Sequence, residues 1–228
     1  IRVVSAALMG LALSGCDMDV IPPDSVAPEN FWTTEADAKN YLNTIYESSR
    51  SSSHNVLYAD VFSDDVYNRH THEATGYLFI QNALSSGDQE YYRTHKWDFL
   101  NIRMTNIFLA NVDKVNMSED LKTRMKMEAR FWRAWDYLWK TTQWGKVPLI
   151  GDEVLPYNVP EVARNPQTDV YDYIISEAKA CYGSLPPSYG SADYGRVTKW
   201  AAKALQARAE LFSGRFADAA VSAKDIID

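Results

Sequence analysis

Four groups of side chains in this chain have the types and spacing to do chemistry, and each points to a different kind. Cys16 closes a short apolar run as Leu13-Ser14-Gly15-Cys16. Small residues directly before a cysteine fit lipoprotein processing, in which the thiol is acylated and the cysteine becomes the first residue of the mature chain. Asp64-Asp65 is a carboxylate pair. Glycosidic hydrolysis needs two carboxylates on opposite sides of the scissile bond, about 5–10 Å apart, which adjacent residues do not provide. Backbone hydrogen bonding in an Asp-rich turn accounts for the pair more simply. His70-x-His72-Glu73 would place two imidazoles on one side of a strand. No further ligand stands at a fixed spacing, so the reading is a solvated polar loop and no metal. The fourth group is Asp65, Tyr67, Asn68, Arg69, Tyr77, Tyr91 and Tyr92. Rings that cover the apolar faces of pyranoses, beside forked polar groups that bind hydroxyl pairs, are what saccharide binding requires. This is the candidate ligand-binding set, against the plainer alternative that the tyrosines fold their own segment onto a scaffold. There is no Gly-x-Ser-x-Gly elbow, phosphate loop or His-Glu-x-x-His, so no catalytic residue and no cofactor is assigned.

The elements around these groups follow from pattern. Val3 to Leu13 is apolar except for Ser5 and Gly10, and Arg2 supplies a positive flank. That run is far below the ~20 residues of a membrane span, so residues 1–15 read as a secretory signal. Acyl chains on Cys16 would then hold an otherwise soluble protein to a membrane, at ~0.8 kcal/mol per buried methylene. Residues 16–31 form a tether, kept extended by Pro22-Pro23 and Pro28. The net charge of −7 argues against nucleic acid or an anionic surface as partner. Two cysteines exclude a disulfide framework, and Cys181 reads as a small core residue. The chain starts at Ile1 and stops at Asp228 within an amphipathic pattern, which reads as an N-terminal fragment whose last domain, 32–228, is truncated.

That domain is expected to be all-α. A Thr34–Asp37 capping pair opens helix one, which runs to about Ser49. Residues 50–94 have no clear period and make a long irregular insertion between the first two helices. Helix two is expected over about Lys96 to Asn116, and helix three from its cap Ser118 to about Thr142, apolar on two sides. Gly145 and Pro148 stop it, and residues 150–168 connect to helix four. Helix four opens at Thr168 or Asp169 and ends at Pro186-Pro187. Thr198 opens helix five, whose inward face is expected to be Trp200, Ala201, Ala204, Leu205, Ala207, Leu211 and Phe212. After the Gly214 turn, helix six is expected to turn Phe216, Ala219, Ala220, Ala223, Ile226 and Ile227 inward. Ala204, Ala207, Ala219 and Ala220 would let the two helices approach closely, as in tetratricopeptide-like hairpins. The seven tryptophans read as core or helix-start staples, and Glu128, Arg130 and Arg133 as interhelical ion pairs.

Several blocks occur together in order: Phe31-Trp32 with Asp37-Ala38 and Tyr46, then Ala59 to Asp65, then Asn106 to Val112. Glu128-Ala129-Arg130-Phe131-Trp132-Arg133-Ala134-Trp135-Asp136-Tyr137 follows, with Trp144-Gly145-Lys146-Val147-Pro148-Leu149 and Gly195 to Ala202. With the cysteine, this set resembles the SusD/RagB family of outer-membrane nutrient-uptake lipoproteins. The resemblance implies a helical, tetratricopeptide-like scaffold that is lipid-anchored at the cell surface and is not an enzyme. It further implies a binder of glycan or peptide that delivers its ligand to a TonB-dependent (SusC-like) outer-membrane barrel. Asp17 and Asp19 suit the acidic surface-export signal of that family. The competing readings are a structural adaptor and a surface glycan hydrolase.

Overall fold

A computed structural model describes residues 31–53, 97–154 and 162–228. Among them are six α-helices: α1 (Glu35–Ser53), α2 (Leu100–Asn111), α3 (Glu119–Trp144), α4 (Gln167–Ser184), α5 (Lys199–Phe212) and α6 (Phe216–Ile227). Successive helices pack on one another from α2 to α6, and α1 lies on both α2 and α3. The all-α, hairpin-stacked architecture is therefore as expected.

The helix starts follow from capping chemistry. The Thr34 amide donates to the Asp37 carboxylate at 2.7 Å, and the Asp37 amide donates back to the Thr34 hydroxyl at 3.2 Å. This reciprocal pair satisfies two amides that the first turn leaves without helical partners. Ser118 accepts from Leu121 N, and Thr198 accepts from Ala201 N, each at 3.3 Å. Gly145, with φ of 71°, occupies a conformation that ends α3 and that a side chain would strain. The hydrogen bonds of Thr34 hold the Asp37 carboxyl below the ordinary value of 3.8. The contribution of that carboxylate is thus complete above the unfolded value and lost as pH falls through the lower folded one. Asp37→Asn should lower the melting temperature at neutral pH, and the gap to wild type should close as the pH falls below the ordinary carboxylate range. A gap that is constant across this titration would show that Asp37 stabilises α1 by other means.

Helix α3 is buried on two sides, as its pattern demanded. Its first half sets Met125 and Ala129 against Trp32, Leu42, Ile45, Phe108 and Val112. Its second half sets Phe131, Ala134, Tyr137 and Leu138 against Val170, Ile174, Ala178, Cys181 and Leu205. Cys181 is the expected core residue. Its thiol donates to the Met127 carbonyl at 3.3 Å, and burial pushes its pKa up to about 12, which leaves it unreactive.

Three expectations are corrected. Helix α2 is shorter than 96–116. It begins at Leu100, whose amide donates to Asp98 Oδ1 at 3.1 Å. It passes into a 3-10 turn (Val112–Lys114) at Asn111, where the side chain bonds back to the Ile107 carbonyl. The α5–α6 hairpin uses different faces. In α5 the buried residues are Ala202, Lys203, Leu205, Gln206, Ala209 and Glu210, while Leu211 and Phe212 are half exposed. In α6 only Ala219 and Ser222 are buried, while Phe216 and Ile227 lie open at 69% and 83% exposure. Ala204, Ala220 and Ala223 are also exposed. The cause is a polar seam. Gln206 donates to Glu210 at 2.8 Å and to Ser222 at 3.0 Å, and Lys203 pairs with Asp225 at 3.0 Å. A buried polar group with partners turns a face inward as an apolar one does, and hydrophobic spacing does not register it. Finally, the tryptophans are not uniformly core. Trp32 is, at 9% exposure, but Trp97 is 38% exposed. Trp132, Trp135, Trp139, Trp144 and Trp200 are half-buried.

Candidate functional site

The residues proposed from sequence for ligand binding, Asp65, Tyr67, Asn68, Arg69, Tyr77, Tyr91 and Tyr92, lie outside the described residues. So do Cys16, Asp64, His70, His72 and Glu73. The structure does describe where their segment is attached. It leaves from the C-terminal end of α1 and returns at Trp97, ahead of α2. The two attachment points belong to one end of the helix stack, because the Ser48 hydroxyl donates to Asn101 Oδ1 across α1 and α2.

An aromatic ledge stands at that end. Trp97 meets Phe99 edge-on at 5.6 Å between ring centroids and Trp144 at 5.3 Å. Trp144 arrives there because Gly145 ends α3 at that point. Trp97 arrives because Trp97-Asp98-Phe99 stays outside the helix. Sequence reasoning assigned both rings to packing. The signal that separates Trp97 is the Asp98–Leu100 contact, which starts the helix after the ring instead of before it.

The ledge rests on a buried ion pair. Lys140 Nζ is 2.9 Å from Asp136 and 5.4 Å from the centre of the Phe99 ring. Burial raises the Asp136 carboxyl pKa, against the pull of Lys140. Both side chains are almost wholly enclosed, so the pair holds the base of the ledge in a low-dielectric setting where such contacts are strong but costly to assemble. The next loop is pinned by Tyr137, whose hydroxyl accepts from Ile150 N at 2.9 Å. Burial pushes the pKa of this phenol up to about 12.

Two further networks lock the helices that carry the ledge, and here the expected interhelical ion pairs are present. Arg130 donates to both oxygens of Glu177, at 2.6 and 3.0 Å, which joins α3 to α4. Arg133 reaches the same carboxylate at 3.1 Å, Asn106 Oδ1 at 2.6 Å and the Gly151 carbonyl at 3.1 Å. Asn106 in turn donates to the Gly151 and Glu153 carbonyls at 2.9 and 2.7 Å. Glu128, with no exposed surface, accepts from Tyr46 at 2.7 Å and from Arg196 at 3.0 Å. The Tyr46 hydroxyl accepts from Val197 N at 3.0 Å. These groups are bonded chiefly to one another, which fits a role in positioning the scaffold. Among the described residues no three His, Cys, Asp or Glu side chains gather as a metal site, and no helix is long and apolar enough to cross a membrane. What the ledge offers is a partly exposed indole, Trp97, set edge-on against Phe99 and Trp144.

Comparison with known proteins agrees with this architecture. Residues 18–211 match the SusD-like family described as starch-binding and associating with the outer membrane. A SusD-like protein, P25, of Formosa agariphila is 26% identical over 199 residues, covering 82% of this chain and 38% of its own. A SusD-like protein of Bacteroides ovatus is 24% identical, covering 92% of this chain and 38% of its own. The chain thus spans about two fifths of the length of these relatives. Among solved structures, a SusD-like protein from Bacteroides fragilis aligns with a TM-score of 0.74 at 27% identity, covering 91% of this chain and 40% of its own. A laminarin-binding SusD-like protein aligns with a TM-score of 0.72 at 21% identity, covering 86% and 44%, which shows likeness of fold.

Proposed function

Since the chain belongs to the SusD-like family, we propose that it is the N-terminal part of a cell-surface binding lipoprotein that captures a glycan. In this reading residues 1–15 direct export, Cys16 carries the lipid that holds residues 16–31 to the outer membrane, and the helical domain 32–228 presents the ligand. Capture is followed by delivery to a TonB-dependent, SusC-like barrel, and no covalent chemistry is performed. One observation carries the glycan assignment: the exposed Trp97 ring, buttressed by Phe99 and Trp144, at the end of the stack where the tyrosine-rich segment 54–96 departs and returns. A rigid ring with one open face contributes contact area at little entropic cost. Two fold neighbours support the ligand class by name, a laminarin-binding SusD-like protein and a surface glycan-binding protein of Bacteroides fluxus.

The test is a glycan and peptide array followed by titration of the best binder. A glycan should be bound without being cleaved, and Trp97→Ala should weaken it about tenfold or more, the loss of one stacked ring. Tyr67→Ala with Tyr77→Ala should weaken it further. Peptide binding without glycan binding would change the cargo to peptide. Silence on both would make the protein an adaptor, and released product would make it a hydrolase.

A further inference from the structure

A second ring surface lies on a different face of α3. Trp135, Leu138, Trp139, Thr142 and Gln143 form one wall of an open groove of about 230 Å³, and Arg208 and Phe212 of α5 form the other. At 3.6 residues per turn, Trp139 and Thr142 sit roughly 100–160° around α3 from Lys140 and Trp144, which serve the ledge. The groove is therefore a separate site. Its volume falls below the 300–1,000 Å³ typical of clefts for larger ligands, so it takes a single ring.

The groove carries one cationic side chain, Arg208. Five other arginines are paired with carboxylates: Arg124 with Asp193, Arg130 and Arg133 with Glu177, Arg196 with Glu128, and Arg215 with Asp172. No carboxylate among the described residues pairs with Arg208. Its guanidinium lies over the Phe212 ring, 6.0 Å from the centroid. Phe212 is itself half exposed. Stacking on a ring holds the plane of the guanidinium and leaves its N–H fork directed elsewhere. The floor beside it is two half-buried indoles, one of which, Trp135, is stacked on Phe131 at 6.4 Å.

Resting on the glycan-binding reading above, we infer that this groove binds one carboxylate-bearing sugar residue, a uronate, with its ring on Trp135 and Trp139 and its carboxylate in the Arg208 fork. A planar fork matches a carboxylate with two parallel hydrogen bonds, which a neutral hydroxymethyl group does not supply. The net charge of −7 does not oppose this. It acts at long range and is screened beyond about 8 Å at physiological salt, whereas the fork acts at contact. It does disfavour runs of uronates, so the fitting ligand is a mostly neutral glycan with single acidic residues.

The test uses monosaccharides, because the groove holds one ring. Methyl β-glucuronide and methyl β-glucoside are titrated into the full chain, followed by saturation-transfer NMR and tryptophan fluorescence. The glucuronide should bind about tenfold more tightly than the glucoside, and Arg208→Gln should abolish that difference without altering the melting temperature. Arg208→Lys should restore only part of it, since an ammonium lacks the fork. Trp97→Ala should leave it intact. Equal binding of the two sugars, or a preference that survives Arg208→Gln, would overturn the inference while leaving capture at the Trp97 ledge standing. An array silent on all glycans would overturn the functional reading itself, even if the glucuronide bound here.

Discussion

Replacing Glu177 by Ala is expected to destabilise the protein by about 3–5 kcal/mol, the range for stranding a buried charge. Arg133 is 1% exposed, and Glu177 is its buried partner. Its other anionic contact, Asp152 at 2.7 Å, is 84% exposed and compensates little. Arg130 shares Glu177 but is partly exposed and recovers water when the carboxylate is lost. The order of effects should thus be Glu177→Ala, then Arg133→Met, then Arg130→Ala, as read from denaturant titrations. The pair Arg133→Met with Glu177→Met should recover much of the loss, because two apolar groups leave no charge to desolvate. Glycan affinity should change less than stability in the Arg130 variant, which separates a scaffold role from a ligand contact. A Glu177→Ala protein within 1 kcal/mol of wild type, about the cost of a surface pair, would show that water reaches Arg133 freely.

Glu128→Ala is expected to cost about 3 kcal/mol by the same mechanism, but with a local signature. Glu128 collects the Tyr46 hydroxyl of α1 and the Arg196 guanidinium from the turn before α5. Arg124 lies 3.3 Å away on the other oxygen. The Tyr46 hydroxyl has its pKa raised by burial and by the facing carboxylate, so it stays a donor at any ordinary pH. Without Glu128, that buried donor loses its acceptor and Arg196 keeps only Asp193 and Asn43. Amide exchange in α1 should accelerate far more than in α4 or α5. Uniform acceleration across all six helices would mean that Glu128 supports the whole fold equally.

The helices and their caps were readable in the sequence, because Thr34–Asp37, Ser118, Thr198 and Gly145 act through local chemistry that needs no tertiary partner. The burial of α3 on two sides was readable because apolar residues occupy both of its stripes. The faces of α5 and α6 were not, since Lys203, Gln206, Glu210 and Ser222 turn inward through the Gln206–Glu210, Gln206–Ser222 and Lys203–Asp225 contacts, which hydrophobic spacing does not register. The exposed Leu211, Phe212 and Phe216 look like core to any hydrophobic count. Of the site, the ion-pairing role of Glu128, Arg130 and Arg133 was legible from charges on a two-sided helix. The Trp97 ledge was missed because one polar residue, Asp98, moves the start of α2 past the ring. The tyrosine-rich set from Asp65 to Tyr92 remains a proposal from sequence.

The hydrogen bond from Val197 to Tyr46 joins residues 151 positions apart, and that from Arg196 to Asn43 spans 153. Contacts of this length set an order of assembly. The α3–α4, α4–α5 and α5–α6 pairings are near neighbours in sequence and close small loops. Docking of α1 closes the largest loop in the described structure, and each doubling of loop length adds about 0.6 kcal/mol of closure entropy. The contacts of α1 with the turn before α5 are therefore expected to form later than the nearer pairings, which amide-exchange rates in α1 would show. A chain emerging N-terminus first can set α1 against α2 and α3 as they appear, but the Arg196 and Val197 contacts that clasp α1 come only when the turn before α5 has followed.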